Sequence, residues 1–466
     1  MKDLPPAPRL KNVLGPSFIL LGLALGSGEL ILWPYLAANY GLGLIWGAAL
    51  GITFQFLLNL EIMRYSLVWG ESIFVGFRRL SRFWPLWFIV STFIPWSLPG
   101  FSSATSQIFS YFFNWGPRQE TFLSIALLIL TGLILTIGKT LYRTMEWIQR
   151  TIILLGLPLI LLLVILLTNS RDWLELAAGL IGRGYSINSQ GLKEWWWLFP
   201  AGVSWASFLG AFAYSGAGGN LNLAQSYYVK EKGLGMGRYS SKISSLFQRK
   251  KEKVLLEGET FPLTKENKEK FQHWWRLIKT EHALVFWLLG FLTIVLLAVL
   301  ARSLLWGQAD AQGLNFIFQE KTVIAKNLGA SGGILFLLIA ALMLYSTQLG
   351  VLESSARIIA ENILLLSWRP GIKVQASRAF YFALWGQIVL GIIILAAGLQ
   401  EPRFLLTLAA ILNAVAMTIL FPLVAWLNRQ RLAPELQPSP GGQIFFFLAF
   451  LFFLIFSGLT FSKYFF

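Results

Sequence analysis

Runs of about twenty apolar residues, repeated from one end of the chain to the other, decide what this sequence can fold into. Each is long enough to cross a hydrocarbon layer of ~30 Å as a helix. The composition agrees. Hydrophobic residues make up 56% of the chain and charged residues 13%, about half the charged share of a soluble domain. The 20 tryptophans often fall near segment ends, as an interfacial belt requires. The absence of cysteine excludes a disulfide framework, thiolate metal sites and cysteine catalysis. The first apolar stretch is too long and too glycine-rich for a cleaved leader and reads as a helix.

The apolar runs predict an all-α integral membrane protein with eleven spans, at about Val13–Leu36, Leu42–Leu67, Phe83–Phe113, Phe122–Leu141, Ile148–Leu167, Trp195–Tyr228, Ala283–Leu305, Ala330–Ile363, Phe380–Leu399, Phe404–Leu427 and Ile444–Phe461. Lysine and arginine set the orientation. With the N-terminus inside, most basic residues fall in inside loops, and the bias holds when the long loop after the sixth span is left out. The N-terminus is therefore expected in the cytoplasm and the C-terminus outside, in a multi-pass plasma (inner) membrane protein. The net charge of +16 then needs no nucleic acid, because basic residues at the cytoplasmic face meet anionic lipid headgroups. Residues 229–281 form the one soluble-looking piece, rich in Lys, Glu and Ser. A flexible solvated loop is the expectation, with binding of a partner or regulator as the alternative.

Two spans interrupt themselves. "SGAGGNLNLAQSYY", Ser215–Tyr228, puts Gly216, Gly218 and Gly219 beside Asn220, Asn222 and Gln225 inside the sixth span. "LALGSGELILWP" puts Gly26, Ser27, Gly28 and Glu29 at mid-depth in the first. A membrane helix can open its hydrogen bonds only where protein or a water-filled cavity satisfies the freed groups. Each interrupted span opens a block of five, with an extra span at 444–461. That is the pattern of an inverted repeat, here 13–167 and 195–427 within one domain of 1–466, whose discontinuous helices 1 and 6 form a midplane site. Close helix packing at the glycines is the simpler alternative.

On these residues the chain resembles the Nramp (natural resistance-associated macrophage protein) family of proton-coupled divalent-metal transporters. "LGPSFILLGLALGSGELILWPYLAANYGLGLIWGAAL" is similar to the family's first two helices in spacing, and "NLNLAQSYY" follows its sixth. The resemblance implies the leucine-transporter fold and alternating-access transport. It also exposes departures. Where the family has an Asp-Pro-Gly-Asn motif, this chain has Gly26, Ser27, Gly28 and Glu29. Where the family has Met-Pro-His, it has Ala217, Gly218 and Gly219. The only histidines, His273 and His282, flank the long loop. Without sulfur or imidazole, selection of a transition metal loses its basis.

Glu29 is the one acidic residue in either break, and an intramembrane ionisable residue is a functional candidate; capping the second half of helix 1 is the alternative. Asn220, Asn222 and Gln225 either line the cavity or pack. Glu353 and Arg357, four apart in "STQLGVLESSAR", can pair on one helix face as a structural or gating bridge. Asn413, alone in the tenth span, faces the site by the resemblance or serves as interhelical glue.

The substrate-binding candidates are thus Gly26–Glu29, Ser215–Gly219, Asn220, Asn222 and Asn413, with Glu29, Glu353 and Arg357 in coupling or gating. No motif calls for a cofactor, nucleotide or catalytic nucleophile, and a monomer is expected. Three functions compete, and the first is the favoured one. A small anion such as bicarbonate, or a carboxylate-bearing solute, would use bare amides at the half-helix ends. A hard divalent cation such as magnesium, or less readily manganese or iron, would use Glu29, amides and carbonyls, with Glu29 the one charged ligand among them. A non-transporting sensor or scaffold is the third.

Overall fold

The chain is described by a computed structural model covering residues 2–137, 141–187, 191–240, 255–306 and 313–465. Its elements in order are α1 (Pro16–Tyr40), α2 (Leu42–Trp69), α3 (Ile73–Leu80), α4 (Trp84–Trp96), α5 (Gly100–Phe113), α6 (Pro117–Ile137), α7 (Leu141–Leu167), α8 (Ser170–Leu180), β1 (Arg183–Ile187), β2 (Lys193–Trp197), α9 (Trp205–Ala213), α10 (Gln225–Lys232), α11 (Lys265–Leu305), α12 (Asn315–Leu366), α13 (Ala376–Ala396), α14 (Pro402–Arg431) and α15 (Pro440–Phe465). Among the described residues nine of these, α1, α2, α6, α7 and α11–α15, are helices apolar and long enough to cross a membrane. The third and sixth expected spans are the interrupted ones, α4–α5 and α9–α10, so the eleven expected spans are nine such helices and two broken ones. The protein is an all-α multi-pass membrane protein.

Local chemistry sets the boundaries. Pro16 opens α1 at a position where its missing N–H costs nothing. Gly70 closes α2 in the left-handed region at φ 62°, its N–H capping the Ser66 carbonyl. Pro95 and Pro99 bend the third span between α4 and α5. Gly329, at φ 82°, splits α12 into two arms. The second arm packs on α13, α4, α5 and the middle of α1, while the end of α11 lies along the second half of α1.

Three expectations need correction. The sixth span does not begin at Trp195. Lys193–Trp197 alternate across a two-stranded antiparallel hairpin with Arg183–Ile187, and helix resumes only at Trp205. The segment 229–281 is not simply a solvated loop. Lys265–His282 forms the first part of α11, and Phe271, Trp274 and Ile278 on one face are buried against Leu4, Val13 and Leu436. Residues 241–254 of that segment lie outside the described residues. Helix 1 is not discontinuous either. Its middle, Leu25–Leu32, widens into π-helical turns without losing helical continuity.

Candidate functional site

The break in the sixth span falls between α9 and α10, where Gly218 and Gly219 take positive φ (76° and 51°). Neighbouring helices satisfy what it frees. Gln55 of α2 donates from Nε2 to the Ala213 carbonyl (3.0 Å), and its Oε1 accepts from the Gly218 N–H (3.0 Å) and from Asn222 Nδ2 (3.2 Å). One amide thus serves one carbonyl and one N–H that the broken helix leaves free, which meets the demand for internal satisfaction in hydrocarbon. Asn413 of α14 donates to the Tyr214 hydroxyl (3.1 Å) and to its own Ala409 carbonyl (3.0 Å). Asn220 donates to the Ser91 and Thr92 hydroxyls (2.8 and 2.9 Å), and Trp96 stacks on Tyr214 at 5.5 Å. Ser215 accepts from the Trp33 indole (2.9 Å).

The widened middle of α1 has a different cause. The Thr347 hydroxyl of α12 accepts from the Gly26 N–H (3.0 Å) and donates to the Gly22 carbonyl (2.9 Å). Those groups are four residues apart and would bond each other in an α-helix, so an inserted hydroxyl opens the ladder by one side chain. Gly28 then meets the sixth span directly: a Cβ there would overlap the Tyr214 carbonyl oxygen. A Cβ at Gly219 would likewise overlap the Asn413 Oδ1. The two glycine stretches therefore face each other, and the glycines are the condition of their contact. Glu29 points elsewhere, toward Gly290 of α11. It is fully buried, and among the described residues both carboxylate oxygens lack a hydrogen-bond partner. The Thr293 hydroxyl beside it donates to the Leu289 carbonyl instead (2.8 Å).

A pattern runs through these amides. Asn222 and Asn413 each donate to a backbone carbonyl, which can only accept, so the nitrogen assignments follow from the partners. Their carbonyl oxygens, with those of Asn220 and Gln225, are buried and unpartnered. The Gly26 and Gly218 N–H groups are both engaged. Two backbone donors of the glycine stretches are therefore taken, while, among the described residues, these four side-chain acceptors are spare.

At one end of the molecule, a cavity of about 700 Å³ is lined by Tyr35, Gln107, Ser204, Ser207, Glu401 and Arg403, among others. Arg403 sits over the Tyr35 ring at 3.9 Å. From Ser207 the helix α9 leads to Tyr214 over roughly 10 Å of rise. At the other end of the sixth span, α10 is tied to α12. Arg357 pairs closely with Glu353 and lies 3.7 Å from Glu231, while the Tyr228 hydroxyl meets Ser354 at 2.5 Å and Glu353 at 3.4 Å. Helix 1 is tied to α11 by Ser17, whose hydroxyl donates to Glu281 (2.5 Å) and lies 2.7 Å from His282 Nδ1. His282 is buried between Phe56 and Phe286, deep in the bundle rather than on the loop it was expected to flank.

No protein-family model matches the chain, and no curated protein matches it in sequence. The fold does match. Two mutant forms of the Eremococcus coleocola manganese transporter superpose with TM-scores of 0.70 and 0.66 at 13% and 14% identity, over 98% of this chain and 89% of theirs. Mhp1, a nucleobase-cation-symport-1 family transporter in a closed conformation with bromovinylhydantoin bound, superposes at 0.52 and 12% identity, over 95% of this chain and 90% of that one. The chain has the leucine-transporter fold.

Sequence reasoning singled out the two glycine stretches and Asn413 but missed Gln55, Thr347 and the Ser91–Thr92 pair. Gln55 and Asn59, four apart in "GITFQFLLNLEIM", form an uncharged polar stripe on an apolar helix. That was the readable signal.

Proposed function

We propose that the protein is a secondary transporter that carries a hard divalent cation, magnesium before manganese, by alternating access around the break between α9 and α10. The carrying observation is the spare acceptor set: among the described residues the carbonyl oxygens of Asn220, Asn222 and Asn413 are buried without partners, and the Glu29 carboxylate, aimed at α11, is a separate unpartnered acceptor. Oxygen-only donors suit a hard cation that keeps part of its water. They offer neither the sulfur nor the imidazole that favours softer metals. The likeness to a manganese transporter agrees with a divalent cargo. A small anion is the competing reading; two of the backbone amides it could use, at Gly26 and Gly218, are engaged by Thr347 and Gln55.

In this mechanism the 700 Å³ cavity is the outer vestibule. The Arg357–Glu353–Tyr228 cluster and the Ser17–Glu281–His282 cluster hold the opposite, cytoplasmic end closed until the half-helices move. Lysine and arginine bias supports an N-terminus in the cytoplasm. Glu29 couples transport by taking up a proton when the cation leaves.

The test is uptake into proteoliposomes with magnesium, manganese, bicarbonate and amino acids side by side. Saturable magnesium uptake, with weak manganese uptake, is the expected result. Saturable bicarbonate or amino-acid uptake would restore the anion reading, saturable micromolar manganese uptake would overturn the metal preference, and no uptake of any substrate would point to a sensor or scaffold.

A further inference from the structure

A second cavity, of about 880 Å³, lies away from the break, between the start of α8, the β1–β2 hairpin and the end of α11. Its floor is neutralised. Glu175 accepts from Arg302 Nε and Nη2 (3.0 and 2.7 Å), and Arg302 also donates to the Tyr185 hydroxyl (2.9 Å). Asp172 is spent as a cap, accepting from the Asn169 N–H (2.9 Å). Three further cations, Arg171, Arg183 and Lys193, line the same cavity. Among the described residues none of them forms an ion pair.

Two of the three are held in place by aromatic rings. Hairpin register sets Tyr185 opposite Trp195 and Ile187 opposite Lys193, so Arg183, Tyr185, Lys193 and Trp195 share one face of the ladder. Arg183 lies 4.8 Å from the Trp195 centroid and Lys193 lies 4.2 Å from that of Tyr185. These contacts orient the charges without neutralising them. The segments that form the cavity also carry exposed apolar side chains. Leu174, which lines it, and Trp197 are each 72% exposed, and Trp173, Ile181, Ile187 and Leu192 on the same segments are exposed with them. Exposed aliphatic and tryptophan side chains around a basic cavity match the depth where acyl chains give way to headgroups.

We propose that this cavity binds the phosphate of an anionic lipid headgroup, with Arg171, Arg183 and Lys193 as its ligands and the exposed apolar side chains against the acyl chains. Arginine forks suit phosphate oxygens bidentately, and the lysine adds a point charge. This inference is independent of the transported substrate. It places a lipid site on the part of the fold that joins the fifth and sixth spans, next to Leu42, whose N–H is held by Glu175 (3.3 Å).

Native mass spectrometry of the full-length protein in detergent tests it, with phosphatidylglycerol, phosphatidylcholine and inorganic phosphate as probes. The expected result is retention of phosphatidylglycerol over phosphatidylcholine by something on the order of tenfold to a hundredfold. That preference should vanish in an Arg171→Gln/Arg183→Gln/Lys193→Gln variant and fall partway in Lys193→Gln alone. Competition by millimolar-range inorganic phosphate would support the headgroup as the recognised part. Binding of inorganic phosphate with no lipid preference would reassign the cavity to a soluble phosphate. Equal retention of phosphatidylglycerol by wild type and both variants would overturn the proposal.

Discussion

The two glycine stretches look alike in sequence and end differently. "GSGE" in α1 stays helical and only widens, whereas "SGAGG" between α9 and α10 comes apart. Glycine loosens both equally, so glycine is not the cause of the difference. The neighbours are. Around α1, one hydroxyl, Thr347, serves one carbonyl and one N–H, which fits a single opened turn. Around the sixth span, Gln55 supplies both a donor and an acceptor to the backbone, and Asn413, Ser91 and Thr92 hold the side chains that flank it. A membrane helix breaks as far as the surrounding side chains can replace its lost bonds.

The strongest way to break the comparison is Gln55→Leu. It strands the Ala213 carbonyl and the Gly218 N–H in a buried setting, at about 1–3 kcal/mol each. A loss of roughly 2–5 kcal/mol in detergent unfolding and abolished uptake are expected. A variant as stable as wild type would show that the break does not depend on Gln55.

Next comes Gly28→Ala, whose Cβ would overlap the Tyr214 carbonyl. Overpacking of this kind costs about 1–3 kcal/mol. Because the clash lies between the two stretches, uptake should fall at least about tenfold, the equivalent of 1.4 kcal/mol on the transport barrier. Unchanged uptake would mean that α1 and the sixth span do not approach each other in the working cycle.

Thr347→Val sharpens the contrast more gently. Removing the inserted hydroxyl lets the Gly22 carbonyl and Gly26 N–H bond each other, so stability should change by under about 1 kcal/mol. Hydrogen exchange at the α1 amides should slow as the turn tightens, and transport should weaken. Faster exchange there would contradict the insertion account.

The smallest structural effect belongs to Glu29→Gln, which keeps the shape of the buried side chain. The fold and melting temperature should stay near wild type. Uptake measured across a pH series should lose its pH dependence, because the one carboxylate of the two glycine stretches can no longer take up a proton. A retained pH dependence would remove Glu29 from coupling.

Much of this protein was legible in its sequence because lipid leaves few choices. The length of each apolar run fixed the number of spans, and glycine with asparagine in an apolar segment marked the sixth span as interrupted. Glu353 and Arg357, four apart, announced their own pairing. Local patterns of this kind need no partner from elsewhere in the chain. The hairpin at Arg183–Trp197 was misread for the converse reason: three consecutive tryptophans pass for the start of a span until the register with β1 is known.

What only the tertiary structure decided was the partner of each polar group. Gln55 is 163 residues from Gly218, and Thr347 is 321 residues from Gly26, distances over which composition and periodicity carry no information. The direction of Glu29 toward α11, the engagement of the Gly26 and Gly218 N–H groups, and the three cations beside the hairpin that form no ion pair among the described residues all follow from packing. Sequence fixed where the helices could fail, since backbone freedom is a local property. Whether each one failed depended on hydrogen-bonding groups brought from distant segments.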